Sequence, residues 1–179
     1  MLRAAILVGT SHSLQRGSLE LKEFLEIVCR DFKVNAVAEE VSQEALVEKE
    51  CAVSIPMQVA SAIDICHRLC DPDNAQRVKL GIWQQADIRV RALPKTLSES
   101  EVEAQLAECN ARRERYWLDQ LQDLNVWPVL FVCGADHVAS FSELLRQAGI
   151  GVHIAAKDWA SNNTVERDAP QAARPSTLR

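Results

Sequence analysis

The feature that most constrains this chain is a repeated unit: a short apolar run, a Gly-x-x-His turn, then an amphipathic helix. In the first half Ala4 to Val8 leads into Gly9-Thr10-Ser11-His12, after which Leu21, Phe24, Leu25 and Val28 recur at helical spacing. In the second half Val129 to Cys133 follows Pro128 and leads into Gly134-Ala135-Asp136-His137, with Phe141, Leu144 and Leu145 on the next helix. An unbroken apolar run such as VLFVC suits a central parallel strand covered on both faces. The expected fold is therefore α/β: a single three-layer domain with a central, mostly parallel sheet flanked by helices. Ligands bind such sheets at the carboxyl ends of the strands. If the two strands are neighbours, His12 and His137 share a cleft there despite their distance in sequence.

A chain of 179 residues is one domain of ordinary size, able to bury a substantial core. Its net charge of −5 argues against general affinity for nucleic acid or an anionic membrane surface. The opening apolar stretch stops at Val8 and runs into Thr-Ser-His-Ser, too short for a signal peptide, and no run approaches the roughly 20 residues of a membrane span. The expected location is cytoplasmic. Six cysteines, mostly at apolar positions, fit that reading as small hydrophobes. Cys66, His67 and Cys70 could suggest a metal site, but a helix face is the preferred account. Residues 1–159 read as the α/β domain. Residues 160–179, rich in Ser, Asn, Pro, Ala and charge without apolar periodicity, read as a disordered tail.

Between the two Gly-x-x-His units, Val34 to Ala38 reads as a second strand ending at Glu39-Glu40. Strand alternation turns one glutamate to each face, so one of them can look into the histidine cleft. The competing reading makes the pair a solvated helix start. Ser54 as N-cap, with Pro56 in the first turn, opens a helix whose buried face is Ile55, Val59, Ala62, Ile63, Cys66 and Leu69. That helix is expected to end near Cys70, with His67 at its boundary, before Asp71-Pro72-Asp73-Asn74 breaks the chain. Residues 75–95 are expected to hold an edge strand or a loop over the site, closed by Pro94.

Ser98-Glu99-Ser100-Glu101 has the form of a capping box opening a long helix. Its stripe is Val102, Leu106, Cys109, Trp117, Leu121 and Leu124, and Arg113 falls near the centre of it. A core-facing arginine requires a partner, either a rim carboxylate or an anionic substrate, unless its head reaches water. Val152 to Ala155 makes a last strand carrying His153 as a structural residue, and Lys157-Asp158-Trp159 follows at the same rim.

These residues resemble a known signature. RRERYW followed by WPVLFVCGADHVASFSELLRQAGIGVHI is similar to the C-terminal pattern of the TraB/Tiki superfamily, and Gly9 to His12 is similar to its opening Gly-x-x-His. That group includes erythromycin-esterase-like hydrolases, Tiki metalloproteases and ChaN-like haem-binding lipoproteins. The resemblance covers the two ends, roughly half the chain, and the middle departs from it. It implies a site of His12, His137 and one of Glu39 or Glu40, with Arg113 as a supporting cation.

Three functions follow as expectations. In a metal-dependent hydrolase, His12, His137 and Glu39 or Glu40 hold manganese, cobalt or zinc and activate water, and Asp136 orients His137 or adds a second carboxylate. In a metal-free hydrolase a histidine is the general base and Arg113 stabilises developing negative charge. In a binding or regulatory protein the same rim holds a ligand without turnover. The partner expected throughout is a small-molecule or peptide substrate, not nucleic acid or membrane, and a homodimer is allowed. No Gly-x-Ser-x-Gly elbow and no glycine-rich phosphate loop occurs, so a serine hydrolase elbow and a nucleotide cofactor are not expected.

Overall fold

The computed structural model describes residues 3–83, 85–92 and 97–159. Five strands form one all-parallel sheet in the order β3-β2-β4-β1-β5. In chain order these are β1 (Ala4–Thr10), β2 (Ala36–Glu39), β3 (Cys66–Leu69), β4 (Val129–Gly134) and β5 (Gly151–Ala156). The helices are α1 (His12–Gly17), α2 (Leu19–Asp31), α3 (Gln43–Glu48), α4 (Ile55–Ala62), α5 (Asn74–Leu80), α6 (Gln85–Ala92), α7 (Glu99–Leu124) and α8 (Val138–Gln147). The α/β class read from the sequence is the class observed. The proposed tail at 160–179, and Pro94, lie outside the described residues.

Side-chain alternation divides the core between the two faces of the sheet. Ala5, Leu7, Ala38, Val129 and Phe131 pack under Trp117 of α7 and Phe141 and Leu145 of α8. Ile6, Val8, Val37, Leu130 and Val132 pack under Leu21 and Leu25 of α2 and Ile55 and Val59 of α4. Both faces of β1 and β4 are thus covered, which is why these strands read as unbroken apolar runs. They lie side by side in register, from Ala5 opposite Val129 to Thr10 opposite Gly134. From their carboxyl ends the chain leaves toward α1 and α2 in one case and toward α8 in the other, on opposite faces. Such a divergence opens a crevice at the strand ends.

Two expectations are corrected. The helix opened by Ser54 does not run to Cys70: its side chain caps Met57, but α4 ends at Ala62. Asp64 then adopts a left-handed conformation (φ 55°), and the Ile65 amide donates back to the Ala60 carbonyl. This is the helix-stop geometry usually marked by glycine, so the sequence carried no visible stop. Cys66–Leu69 is instead the edge strand β3, paired with β2 from Ala36 opposite Cys66 to Glu39 opposite Leu69. Where residues 75–95 were expected to hold an edge strand or a loop over the site, the described residues form α5 and α6, and the link Gly81-Ile82-Trp83 between them brings Ile82 and Trp83 to the crevice. Asp73, read as a breaker, is the N-cap of α5 in a capping box with Gln76, and Gly81 ends that helix at φ 66°.

The capping box at Ser98 is present and opens α7. A small third cluster, Ile88, Val102 and Cys109 with Trp83 and Leu106, joins α6 to α7. Among the described residues no helix is long and apolar enough to cross a membrane.

Gly9 is required by close approach. A Cβ there would lie 2.0 Å from the Lys157 carbonyl oxygen and 2.5 Å from Val138 Cγ2. Gly9→Ala is expected to lower unfolding free energy by about 2–3 kcal/mol, read as a reduced urea midpoint with an unchanged slope.

Candidate functional site

Two turns and one strand end build the crevice. His12 is the first residue of α1, placed by the turn out of β1, and its side chain is half exposed. His137 closes the short 3-10 turn Ala135–His137 out of β4 and is largely buried. Glu40 directly follows β2, where its amide extends the ladder by donating to the Val132 carbonyl at 2.9 Å. Its carboxylate is wholly buried. Because β4 lies between β2 and β1, the three side chains converge over the end of β4.

Glu40 is the centre of this arrangement. Its Oε2 accepts from the Gly134 amide at 2.6 Å. Its Oε1 lies 2.7 Å from Arg113 Nη1 and 3.7 Å from both His12 Nε2 and His137 Nε2. The ion pair with Arg113 is the close contact of that oxygen, which makes no bond to either imidazole. Each 3.7 Å gap is too long for a direct hydrogen bond. Gly134 keeps the floor open: a Cβ there would lie 3.3 Å from Glu40 Oε2 and 3.6 Å from the His137 ring.

Of the two glutamates, Glu40 alone faces the histidines. Glu39 turns to the opposite face, where it accepts from Ser54 Oγ at 2.5 Å and meets His67 Nε2 at 2.9 Å. Both glutamates are buried, Glu39 at 0% and Glu40 at 2% exposure, which overturns the solvated helix-start reading. His67 is a strand residue holding Glu39, not a helix boundary.

Arg113 lies on the core-facing side of α7 and is tied down by more than Glu40. Its Nε and Nη2 clasp Asp71 at 2.5 and 2.7 Å, and its Cζ stands 5.2 Å from the Trp117 ring centroid. Trp117 Nε1 donates to the same Asp71 at 3.0 Å, and Arg77 adds a second ion pair. Burial works against the charges of both partners. For Asp71 the hydrogen bonds and charge of Arg113, then Arg77, win, and its carboxyl titrates below the usual range. For Arg113 the opposing charges of Glu40 and Asp71 outweigh burial and raise its affinity for the proton.

His137 is oriented by a residue that sequence reading passed over. Its Nδ1 meets Glu114 Oε1 at 2.8 Å, and Ser140 Oγ donates to the same oxygen at 2.6 Å. Trp117 packs edge-on against the ring at 4.9 Å. Asp136, expected to orient His137, is exposed and lines the same cavity as His137, and it is Glu114 that meets the ring at Nδ1. Burial depresses the His137 pKa, but the Glu114 hydrogen bond, helped by Glu40, raises it above its ordinary value overall. Cys133, at the end of β4, is held as a neutral thiol, its pKa pushed well up by burial and by Glu40 and Glu114. It offers no thiolate nucleophile.

A resident metal fits this arrangement poorly. The oxygen common to both imidazoles already has a guanidinium nitrogen at 2.7 Å, and a dication there would stand within a few ångströms of a buried positive charge. Among the described residues no group of three or more His, Cys, Asp or Glu is arranged to hold a metal ion. Of Lys157 and Trp159, expected at the rim, Lys157 is exposed with its backbone carbonyl over Gly9, and Trp159 is buried against Phe24.

Comparison with known proteins finds no family model, no curated protein and no solved structure that matches the chain.

Two outcomes are expected. Asp71 contributes stability that is present above its unfolded pKa of about 3.9 and lost as pH falls through its lower folded value. Asp71→Asn should therefore cost about 3–5 kcal/mol at neutral pH, because two arginines lose a buried counter-charge, and should flatten the acid limb of stability in urea titrations across pH. The His137 imidazole should titrate above about 6.5 by NMR. In Glu114→Gln it should titrate lower, because the cause of its elevation is gone.

Proposed function

We propose that this protein is a metal-free hydrolase of small esters or amides, with His137 as general base. The observation that carries the reading is the oriented imidazole: Nδ1 held by buried Glu114, and Nε2 facing across 3.7 Å the Glu40 oxygen that Arg113 pairs. A water hydrogen-bonded to His137 Nε2 gives it a proton as the water oxygen attacks the substrate carbonyl. Arg113 is the nearest cation for the oxyanion that forms. When the tetrahedral intermediate collapses, the carbon–leaving-group bond breaks and His137 returns the proton to the departing oxygen or nitrogen. Base catalysis and electrostatic stabilisation of this kind each contribute about 10²- to 10³-fold or more. His12, half exposed, is positioned to contact substrate at the mouth.

Divergent membership of the TraB/Tiki superfamily is part of the proposal. It is supported by two Gly-x-x-His turns on adjacent parallel strands, Glu40 after the second strand, and an arginine-bearing helix packed beside them. The metal-dependent reading is the rival. Two imidazoles and a carboxylate do converge, but Arg113 occupies the position where a cation is needed.

The test is turnover of ester, amide and short-peptide panels by the purified protein, with and without exhaustive chelation. Activity that resists chelation is expected, falling by at least about 10²-fold in His137→Ala and in Glu40→Gln, with folding checked by circular dichroism. Loss of activity on chelation, with stoichiometric metal in the native protein and none in His12→Ala/His137→Ala, would establish the metal-dependent reading. Complete absence of turnover beside a thermal shift with a small ligand would leave a binding protein.

A further inference from the structure

The crevice has two lobes. The larger, about 480 Å³, is lined by His137, Asp136 and Trp83. The smaller, about 180 Å³ or roughly six water volumes, is walled by α1 and α3, with the buried side chains of Gln15 and Leu46 facing it. His12, Arg77 and Arg113 line both, whereas His137 lines the larger alone.

Arg77, on α5, is a cation at this junction that the proposed reaction does not use. Its Nε donates to the Pro72 carbonyl at 3.1 Å and its Nη2 pairs with Asp71, so one edge of the guanidinium is fixed. The third nitrogen, Nη1, has no hydrogen-bond or ion-pair partner among the described residues. Asp71 has no capacity left for it: each of its oxygens already accepts two bonds, shared among Arg113, Trp117 and Arg77. The Arg77 side chain is 16% exposed, and Nη1 is not among the sealed, unpartnered atoms of the described residues. The open end of a guanidinium held in this way is pre-organised, so a ligand that pairs with it loses little side-chain entropy.

The charge around the smaller lobe runs against that of the chain. Against a net charge of −5, four cations, Arg16, Lys49, Arg77 and Arg113, stand around two carboxylates, Glu40 and Asp71. Arg16 and Lys49 are exposed at the rim. The N–H groups of a fixed guanidinium complement a carboxylate. Glu40 and Asp71 in the same lining oppose the second charge of a phosphate monoester.

The two lobes also divide the substrate. His137 returns the proton to the departing group, so that group occupies the larger lobe and the acyl part the smaller, whose size admits only a short chain. We propose that Arg77 is the specificity-determining residue of the crevice, anchoring a carboxylate at the far end of that chain. The substrate class is then the monoesters and monoamides of short dicarboxylic acids. The inference rests on the hydrolase reading and adds the substrate to it. The reaction itself is the same: the water oxygen bonds to the acyl carbon, the bond to the alcohol or amine breaks, that group leaves with the proton from His137, and a dicarboxylate remains.

The probes are monomethyl succinate and monomethyl glutarate, each beside the neutral ester in which a methyl ketone replaces the distal carboxylate, methyl 4-oxopentanoate and methyl 5-oxohexanoate. Methanol release gives kcat/KM for each. The wild-type protein should favour the charged ester by at least about tenfold at one chain length or both, as expected for a charge-assisted hydrogen bond. Arg77→Gln should bring that ratio to about one. Arg77→Lys, which keeps the charge beside Asp71 but loses the planar fork, should retain more of it, with folding of both variants checked by circular dichroism. A residue that acted only by holding Asp71 would lower both esters alike on substitution; an unchanged ratio in Arg77→Gln, or a wild-type ratio near one at both lengths, would overturn the anchor. Calorimetry reads the same preference without turnover, with succinate against 4-oxopentanoate and glutarate against 5-oxohexanoate. Tighter binding of 3-phosphonopropanoate than of succinate would overturn the carboxylate class. An Arg77-dependent binding preference without turnover of any ester or amide would overturn the hydrolase reading and leave the anchor standing. Turnover without the preference would do the reverse.

Discussion

The structure depends on a buried carboxylate, Glu40, paired with Arg113 at the carboxyl edge of the sheet. A charge at 0% exposure is tolerated only when it is paired and hydrogen-bonded, and every neighbour of Glu40 contributes to that condition. The Gly134 amide takes one oxygen, the guanidinium stands beside the other, and Asp71 with Trp117 fixes the guanidinium in turn. Strand β2, the turn after β4, the segment after β3 and the long helix α7 are thereby tied to one point. Both histidines face the oxygen that Arg113 pairs, each at 3.7 Å.

The two faces of β2 show how one position in the chain separates structure from chemistry. Glu39 is buried against α4 and satisfied by Ser54 and His67, a local network that fastens β3 and the start of α4 to the sheet. Glu40, one residue later, is turned by strand alternation toward α7 and the crevice. The first is enclosed in protein. The second is also buried, but its partners are Arg113 and the Gly134 amide at the floor of the crevice, with both histidines 3.7 Å away.

Much of this was legible in the residues and some was not, for identifiable reasons. The apolar runs of β1 and β4 and the stripe of α7 are long and strongly periodic, and they form as read. Cys66–Leu69 is short and its apolar spacing continues that of α4, so periodicity alone could not separate edge strand from helix; a left-handed Asp64 made the break. Asp71 looked like turn punctuation because its partners, Arg113 and Trp117, are 42 and 46 residues away. Glu114 sits next to Arg113 on a helix whose visible stripe is apolar. Only the packing of the turn bearing His137 against α7 makes that position a buried carboxylate. Gln15 gave no signal at all, since a glutamine on a short helix is ordinarily solvated.

By itself the sequence determined the parallel α/β class, the strand–turn–histidine units and the arginine on the inner side of α7, because each is written in local periodicity and turn chemistry. It also offered, beside a solvated helix start, the reading that Glu39 and Glu40 face opposite ways, which strand alternation requires if the strand reaches them. Which glutamate meets the histidines, which carboxylate orients His137, and which residue anchors Arg113 were decided only by the tertiary structure. Those pairings join residues far apart in the chain across the strand order β3-β2-β4-β1-β5. Their energies depend on burial, which no local pattern of residues encodes.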